Sequence, residues 1–267
     1  MVSEATATAN EVLFDLQDHV GLITLNAPDR LNAISAGMAQ TIIDLLADAR
    51  RRDEIRALVL TGAGRAFCAG AHLGRNEKLV TGRDSRKFPV RAFAALTRAI
   101  VDVDKPVIAA VHGPAVGAGL SYAMACDRRI GDPTSRMSAI FIKRGLHPDC
   151  GASFFLPRLV GLPRALQMVS TGEMLDAQAA KESGLLDEIV APGETVAAAL
   201  AYAGQLASGP SVALELARRS IYLSLSSTLD QVLYYEGFAT SAVGQTADHA
   251  EGIAAFLERR TPNFRGE

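Results

Sequence analysis

Two glycine-rich segments, TGAGRAFCAGAHL (61–73) and HGPAVGAGLSYAMACD (112–127), carry the residue types best suited to chemistry in this chain. Each places small residues where an apolar run turns toward a helical stretch. Glycine admits positive φ and close backbone approach, so a ligand can meet free main-chain N–H groups there. A nucleotide loop is a poor match. Gly62-Ala-Gly64 runs on to Phe67, and Gly117-Ala-Gly119 to Tyr122, where a dinucleotide loop needs a third glycine, and no Lys-Ser/Thr pair marks a P-loop. Tight turning alone explains either motif singly, and explains two of them less well. A third candidate, Asp149 in GLHPDCG, follows Pro148 and can either cap a helix beginning near Cys150 or act as a base.

The elements that must position these groups are legible from periodicity. VLFDLQDHVGLITLN (12–26) shows two β-rich runs around a polar turn with Asp18 and His19, as a hairpin would. Ser35 can cap a helix whose apolar positions Met38, Ile42, Leu45 and Leu46 recur at helical spacing. The runs ALVLTG (57–62) and VIAAVHG (107–113) read as buried strands feeding the two glycine-rich turns. Strands that alternate with helical stretches predict an α/β fold with a mostly parallel sheet buried on both faces. Residues 74–89 are charged and aperiodic and read as a mobile loop, whereas the chain from 195 onward is helical throughout. The expected organisation is a frayed tail at 1–10, an α/β core at 11–194 and a helical region at 195–267.

Composition narrows the partners. The 267 residues are 49% apolar and 21% charged, and no apolar run approaches the length of a membrane span. A formal charge of -2 gives no electrostatic reason to expect nucleic acid or an anionic membrane. Three scattered cysteines, Cys68, Cys126 and Cys150, suit neither a disulfide framework nor a metal site. The opening MVSEATATAN does not resemble a secretory signal, so the expectation is a cytoplasmic protein with a small-molecule substrate.

In order along the chain, FCAGAHL, VHGPAVGAGLSYAMACD, GLHPDCGASFFLPRLVG and EGIAAFLERR resemble the successive motifs of the enoyl-CoA hydratase/isomerase (crotonase) family. The resemblance implies a spiral of repeated β-β-α units with a C-terminal helical region used for trimerisation, often as a dimer of trimers. It implies an acyl-CoA thioester substrate, with coenzyme A entering as part of that substrate and no further cofactor. It also implies an oxyanion hole made by the N–H groups of Ala71 and Ala118, where many relatives have glycine at the latter position. Such paired donors stabilise the enolate of a thioester, and losing one typically costs about a hundred- to a thousandfold in rate.

The resemblance departs at the acid/base positions. Where two-glutamate hydratases carry carboxylates, this chain has Ser121 and Phe141. Ser121 can orient a water, bond a substrate, or serve only in packing, and Phe141 reads as an apolar pocket wall. Asp149 matches an aspartate that serves as base in related isomerases, and GLHPDCG is most similar to the ring-epoxide isomerases of phenylacetate breakdown. His72 and His147 could line the pocket. His112, Tyr234 and Tyr235 are further candidates for substrate contact. For the coenzyme A portion the resemblance implies Arg30, Leu31, Ala33, Ala69, Leu73, Phe256 and Arg259. The expectation is double-bond isomerisation of an enoyl-CoA with Asp149 as acid and base. Hydration of a 2-enoyl-CoA, or acyl-CoA binding without catalysis, are the alternatives.

Overall fold

The computed structural model describes residues 11–72 and 89–267. The tail at 1–10, Leu73 and the loop assigned to 74–89, up to its last residue, lie outside the described residues. Strands β1 (Val12–Gln17) and β2 (Val20–Leu25) form the expected antiparallel hairpin, with Val12 opposite Leu25. Its turn puts Asp18 and His19 in left-handed backbone. Beyond β2, the strands β3 (Ala57–Gly62), β4 (Val107–Val111), β6 (Arg128–Gly131) and β9 (Glu188–Ile189) add in parallel.

The sheet is buried on both faces because its strands alternate between two cores. Leu58 and Leu60 of β3 join Val107, Ala109 and Val111 of β4 on one side, while Ala57, Val59, Ile108 and Ala110 face the other. Near-continuous apolar runs are what such a sheet requires. On the first side lie α1 (Ala36–Arg51), α2 (Pro89–Asp102) and α3 (Ala118–Ala125). The Ser35 hydroxyl caps α1 by accepting from the Met38 N–H at 3.1 Å, and Met38, Ile42 and Leu46 are buried while Leu45 is half-buried.

A second, shorter ladder runs beside the first. β5 (Pro114–Val116) and β7 (Arg136–Ser138) pair in parallel, and β8 (Leu175–Asp176) closes it antiparallel to β7. Single bridges extend this ladder from Ala115 to Cys68 and from Ala71 to Ile34. Each circuit of the chain therefore lays one segment in each ladder before a helix returns it. The first circuit is β2, Ile34 and α1, the second β3, residues 68–71 and α2, and the third β4, β5 and α3. This is the spiral of β-β-α units.

Helices α4 (Ala152–Val160), α5 (Leu162–Thr171) and α6 (Ala177–Glu182) complete the core side. The chain is helical from 195 onward, and the first of these helices, α7 (Thr195–Ala207), lies on the sheet itself. It covers the second face with Ala199, Ala203 and Ala207 against Val59, Ile108 and Ile130. Only α8 (Ser211–Ser224), α9 (Leu229–Val243) and α10 (Ala247–Glu258) stand apart from it. Arg218 ties α8 to the core through Asp127 at 2.8 Å and the Ile100 carbonyl at 3.0 Å. Among the described residues no helix is long and apolar enough to cross a membrane.

Candidate active site

The two glycine-rich turns meet in space. Gly70 adopts φ 99°, its carbonyl accepts from Ile34 N at 2.8 Å, and His72 N donates to Ile34 O at 2.8 Å. The intervening Ala71 N–H has no acceptor among the described residues. Gly117, at φ 57° and ψ -126°, turns β5 into α3, so Ala118 is the first helical residue. Its N–H belongs to the first turn and has no partner within the helix. The left-handed backbone falls on Gly117, so alanine at 118 needs no unusual conformation.

Absence of side chains lets these turns touch. A Cβ on Gly70 would lie 3.1 Å from the Val116 oxygen and 3.6 Å from the Ala118 nitrogen. One on Gly119 would lie only 2.2 Å from the Cys68 oxygen. Backbone bonds lock the contact, with Cys68 N donating to Pro114 O at 2.9 Å and Val116 N to Cys68 O at 3.0 Å. Two N–H groups without acceptors among the described residues are thus carried on one interlocked pair of turns.

Asp149 sits in a turn held in left-handed backbone at Cys150 (φ 51°) and Gly151 (φ 85°). The helix that follows, α4, starts at Ala152, near Cys150 as expected, and no side chain caps it. Asp149 contributes only its main-chain carbonyl, which accepts from Ala152 N at 2.9 Å. The capping alternative for its carboxylate is thereby removed. Instead Oδ1 is buried without a hydrogen-bond partner. Native structures contain few such atoms, and each calls for an explanation such as catalysis.

Ser121, fully buried on α3, donates its hydroxyl to the Asp149 carbonyl at 3.0 Å, with the Gly117 carbonyl at 3.3 Å as a second acceptor. Its hydrogen is occupied by the protein itself. Phe141 is buried in a 3-10 helix (Ile140–Arg144), with its ring 4.0 Å from the Cβ position of Gly117. It walls the side of the turn that carries the Ala118 amide.

The histidines differ in burial and partners. His72 is half-buried, His147 is exposed with its ring nitrogen on the Pro148 carbonyl, and His112 contacts the Gly64 carbonyl at 3.1 Å. Tyr234 is exposed on α9. Tyr235 buries a hydroxyl without a partner and lines a cavity of ≈ 790 Å³ that also touches Thr97, Gly151 and Phe155. Burial pushes the Cys68 thiol up to about 12, and raises that of Cys150 as well.

Four of the residues implied for coenzyme A form one surface. Ala69 N donates to Leu31 O at 2.9 Å, Ala33 N to Arg30 O at 3.1 Å, and the Arg30 guanidinium to Ala33 O at 3.1 Å and to Glu11 at 2.8 Å. Asn32 fixes this turn from within, donating to the carbonyls of Ala63 at 2.8 Å and Ala66 at 2.6 Å. Phe256 and Arg259 are exposed on and after α10, and among the described residues no hydrogen bond or ion pair joins them to the 30–33 turn. Leu73 lies outside the described residues. Thr97 on α2, which motif spacing does not single out, donates its hydroxyl to the Cys150 carbonyl at 2.9 Å.

Comparison with known proteins places the chain in a family. A family profile described as "Enoyl-CoA hydratase/isomerase" matches residues 15–267. The 1,2-epoxyphenylacetyl-CoA isomerase of Escherichia coli K12 is 36% identical over 258 residues, covering 96% of this chain and 98% of its own length. A protein of Rhodobacter capsulatus described as "Probable enoyl-CoA hydratase" is also 36% identical, over 255 residues, covering 96% and 98%. The crystal structure of the enoyl-CoA hydratase from Bacillus anthracis superimposes with a TM-score of 0.90 at 32% identity, covering 96% of this chain and all of that one (100%). With paired free amides on two interlocked turns and a match along nearly its whole length, the chain belongs to the enoyl-CoA hydratase/isomerase family.

Proposed function

We propose that this member is an enoyl-CoA isomerase. The thioester oxygen rests on the N–H groups of Ala71 and Ala118, and Asp149 takes a proton from one acyl carbon and returns it to another. The observation that carries the reading is the Asp149 carboxylate oxygen, buried and unpartnered, in a site where Ser121 and Phe141 supply no second carboxylate. A single base that shuttles one proton suffices for isomerisation, whereas hydration must also deliver a water to the substrate.

In this reading coenzyme A enters with the substrate, and no metal or redox group takes part. Arg30, Leu31, Ala33 and Ala69 receive its adenosine end, together with Phe256 and Arg259 once subunits assemble. Guanidinium at 259 suits phosphate because it is permanently charged and binds bidentately. The assembly is a homotrimer or a dimer of trimers, supported by the exposed apolar side chains of α9 and α10, and the setting is cytoplasmic.

The test compares two substrates on the purified protein. Migration of the double bond in a 3-enoyl-CoA should proceed at least a hundredfold faster than hydration of crotonyl-CoA. Robust hydration would return the protein to the hydratases, and tight acyl-CoA binding without turnover of either would make it a binding protein.

A further inference from the structure

We propose that Ser121 and Thr97 are positioning residues, whose buried hydroxyls grip the consecutive carbonyls of Asp149 and Cys150 and thereby aim the Asp149 carboxylate. The inference rests on the isomerase reading and adds to it what holds the base in place.

The turn from Pro148 to Ala152 cannot be held by local preference. Cys150 adopts φ 51°, a conformation that a residue with a Cβ seldom takes, and Gly151 follows at φ 85°. Two successive left-handed residues persist only where the surroundings fix them. The fixing comes from two helices. From α3, Ser121 donates to the Asp149 carbonyl at 3.0 Å; from α2, Thr97 donates to the Cys150 carbonyl at 2.9 Å. Both residues are buried, at 0% and 8% exposure, so water does not compete for these bonds. The Asp149 carbonyl also accepts from Ala152 N at 2.9 Å, which uses its second lone pair.

The two pinned peptide planes flank Cys150, and the first contains the Asp149 Cα, so the backbone that carries the carboxylate is held at that atom. The carboxylate needs this, because its buried Oδ1 has no hydrogen bond to hold it. Ser121 stands where a two-glutamate hydratase would place a carboxylate, so the position has exchanged a base for a group that orients one. Gly151 makes the grip possible, since a Cβ there would come within 3.0 Å of the Thr97 methyl group.

The test uses Thr97→Val, which keeps the shape and removes the donor, with Ser121→Ala and Thr97→Ser. In each of Thr97→Val and Ser121→Ala, kcat for 3-enoyl-CoA isomerisation should fall about ten- to a hundredfold, in line with the cost of a base displaced by about an ångström. In Thr97→Val, KM should stay within about twofold, because the amides and the coenzyme A surface are untouched there. Thr97→Ser, which restores the hydroxyl, should recover most of the loss. A wild-type kcat in Thr97→Val, or a loss that Thr97→Ser shares, overturns the positioning role. Thr97→Val is judged on its own should Ser121→Ala fail to fold. Full activity in Asp149→Asn would instead overturn the isomerase reading, so the two failures are separable.

Discussion

At the scale of single residues, the site is defined by groups left without partners. Among the described residues, the N–H of Ala71, the N–H of Ala118 and one oxygen of Asp149 have no hydrogen-bond partner. Leaving a buried polar group unpaired costs on the order of 1–3 kcal/mol, which a structure tolerates where the group has work to do. The cysteines show the opposite economy. Burial raises the Cys68 and Cys126 thiols from 9.0 to about 12. Both should resist alkylation at pH 8 in the native protein and react fully in denaturant, as mass spectrometry would read. Because their folded values are raised, the stability they contribute is fully present below about pH 9 and is lost as pH climbs toward about 12. Equilibrium unfolding across that window should show the decline, steeper in the wild type than in Cys68→Ala/Cys126→Ala.

At the scale of elements, the contact between the two glycine turns determines where the donors sit. Ala118 is the first residue of α3, a position that tolerates proline while removing the N–H. Ala118→Pro should therefore keep the fold by circular dichroism and lose about a hundred- to a thousandfold in kcat. A loss below threefold would mean that the Ala118 amide is not a donor to the substrate. Periodicity made the hairpin, α1, β3 and β4 legible, because each has an apolar pattern long enough to count. The second ladder was not legible. Its strands have two or three residues, and its bridges at Cys68 and Ile34 are single pairs, too short to leave a pattern. Small residues announced the turns that carry Ala71 and Ala118, since only glycine permits such close approach. The grip of Thr97 on Cys150 links residues 53 apart, and nothing local to either signals it.

At the scale of the whole molecule, the helices from Thr195 onward do two different things. Helical periodicity begins at 195, yet α7 is the lid of the sheet, and its alanines mark the close packing that the sheet face demands. Helices α9 and α10 do the reverse. They expose Leu229, Leu233, Tyr234, Phe238, Phe256 and Leu257, apolar side chains of the kind that contacts with other proteins cover. If these side chains are covered by other subunits, Phe238→Asp should shift the sedimentation of the 28.2 kDa chain from a trimer or hexamer toward the monomer. A wild-type species that sediments as a monomer would contradict the assembly. Arg218 anchors this helical region to the core through a side chain only 8% exposed. Arg218→Ala should lower stability by about 2 kcal/mol, since it removes charge-assisted bonds to Asp127 and to two main-chain carbonyls.

The proton transfer assigned to Asp149 is tested most directly by the rate at which Asp149→Asn isomerises a 3-enoyl-CoA, measured beside the wild type. Replacing the base by its neutral isostere should cost about a thousandfold in kcat, within the range of general acid–base catalysis, with KM and folding little changed. A rate within a few fold of wild type would show that some other group moves the proton.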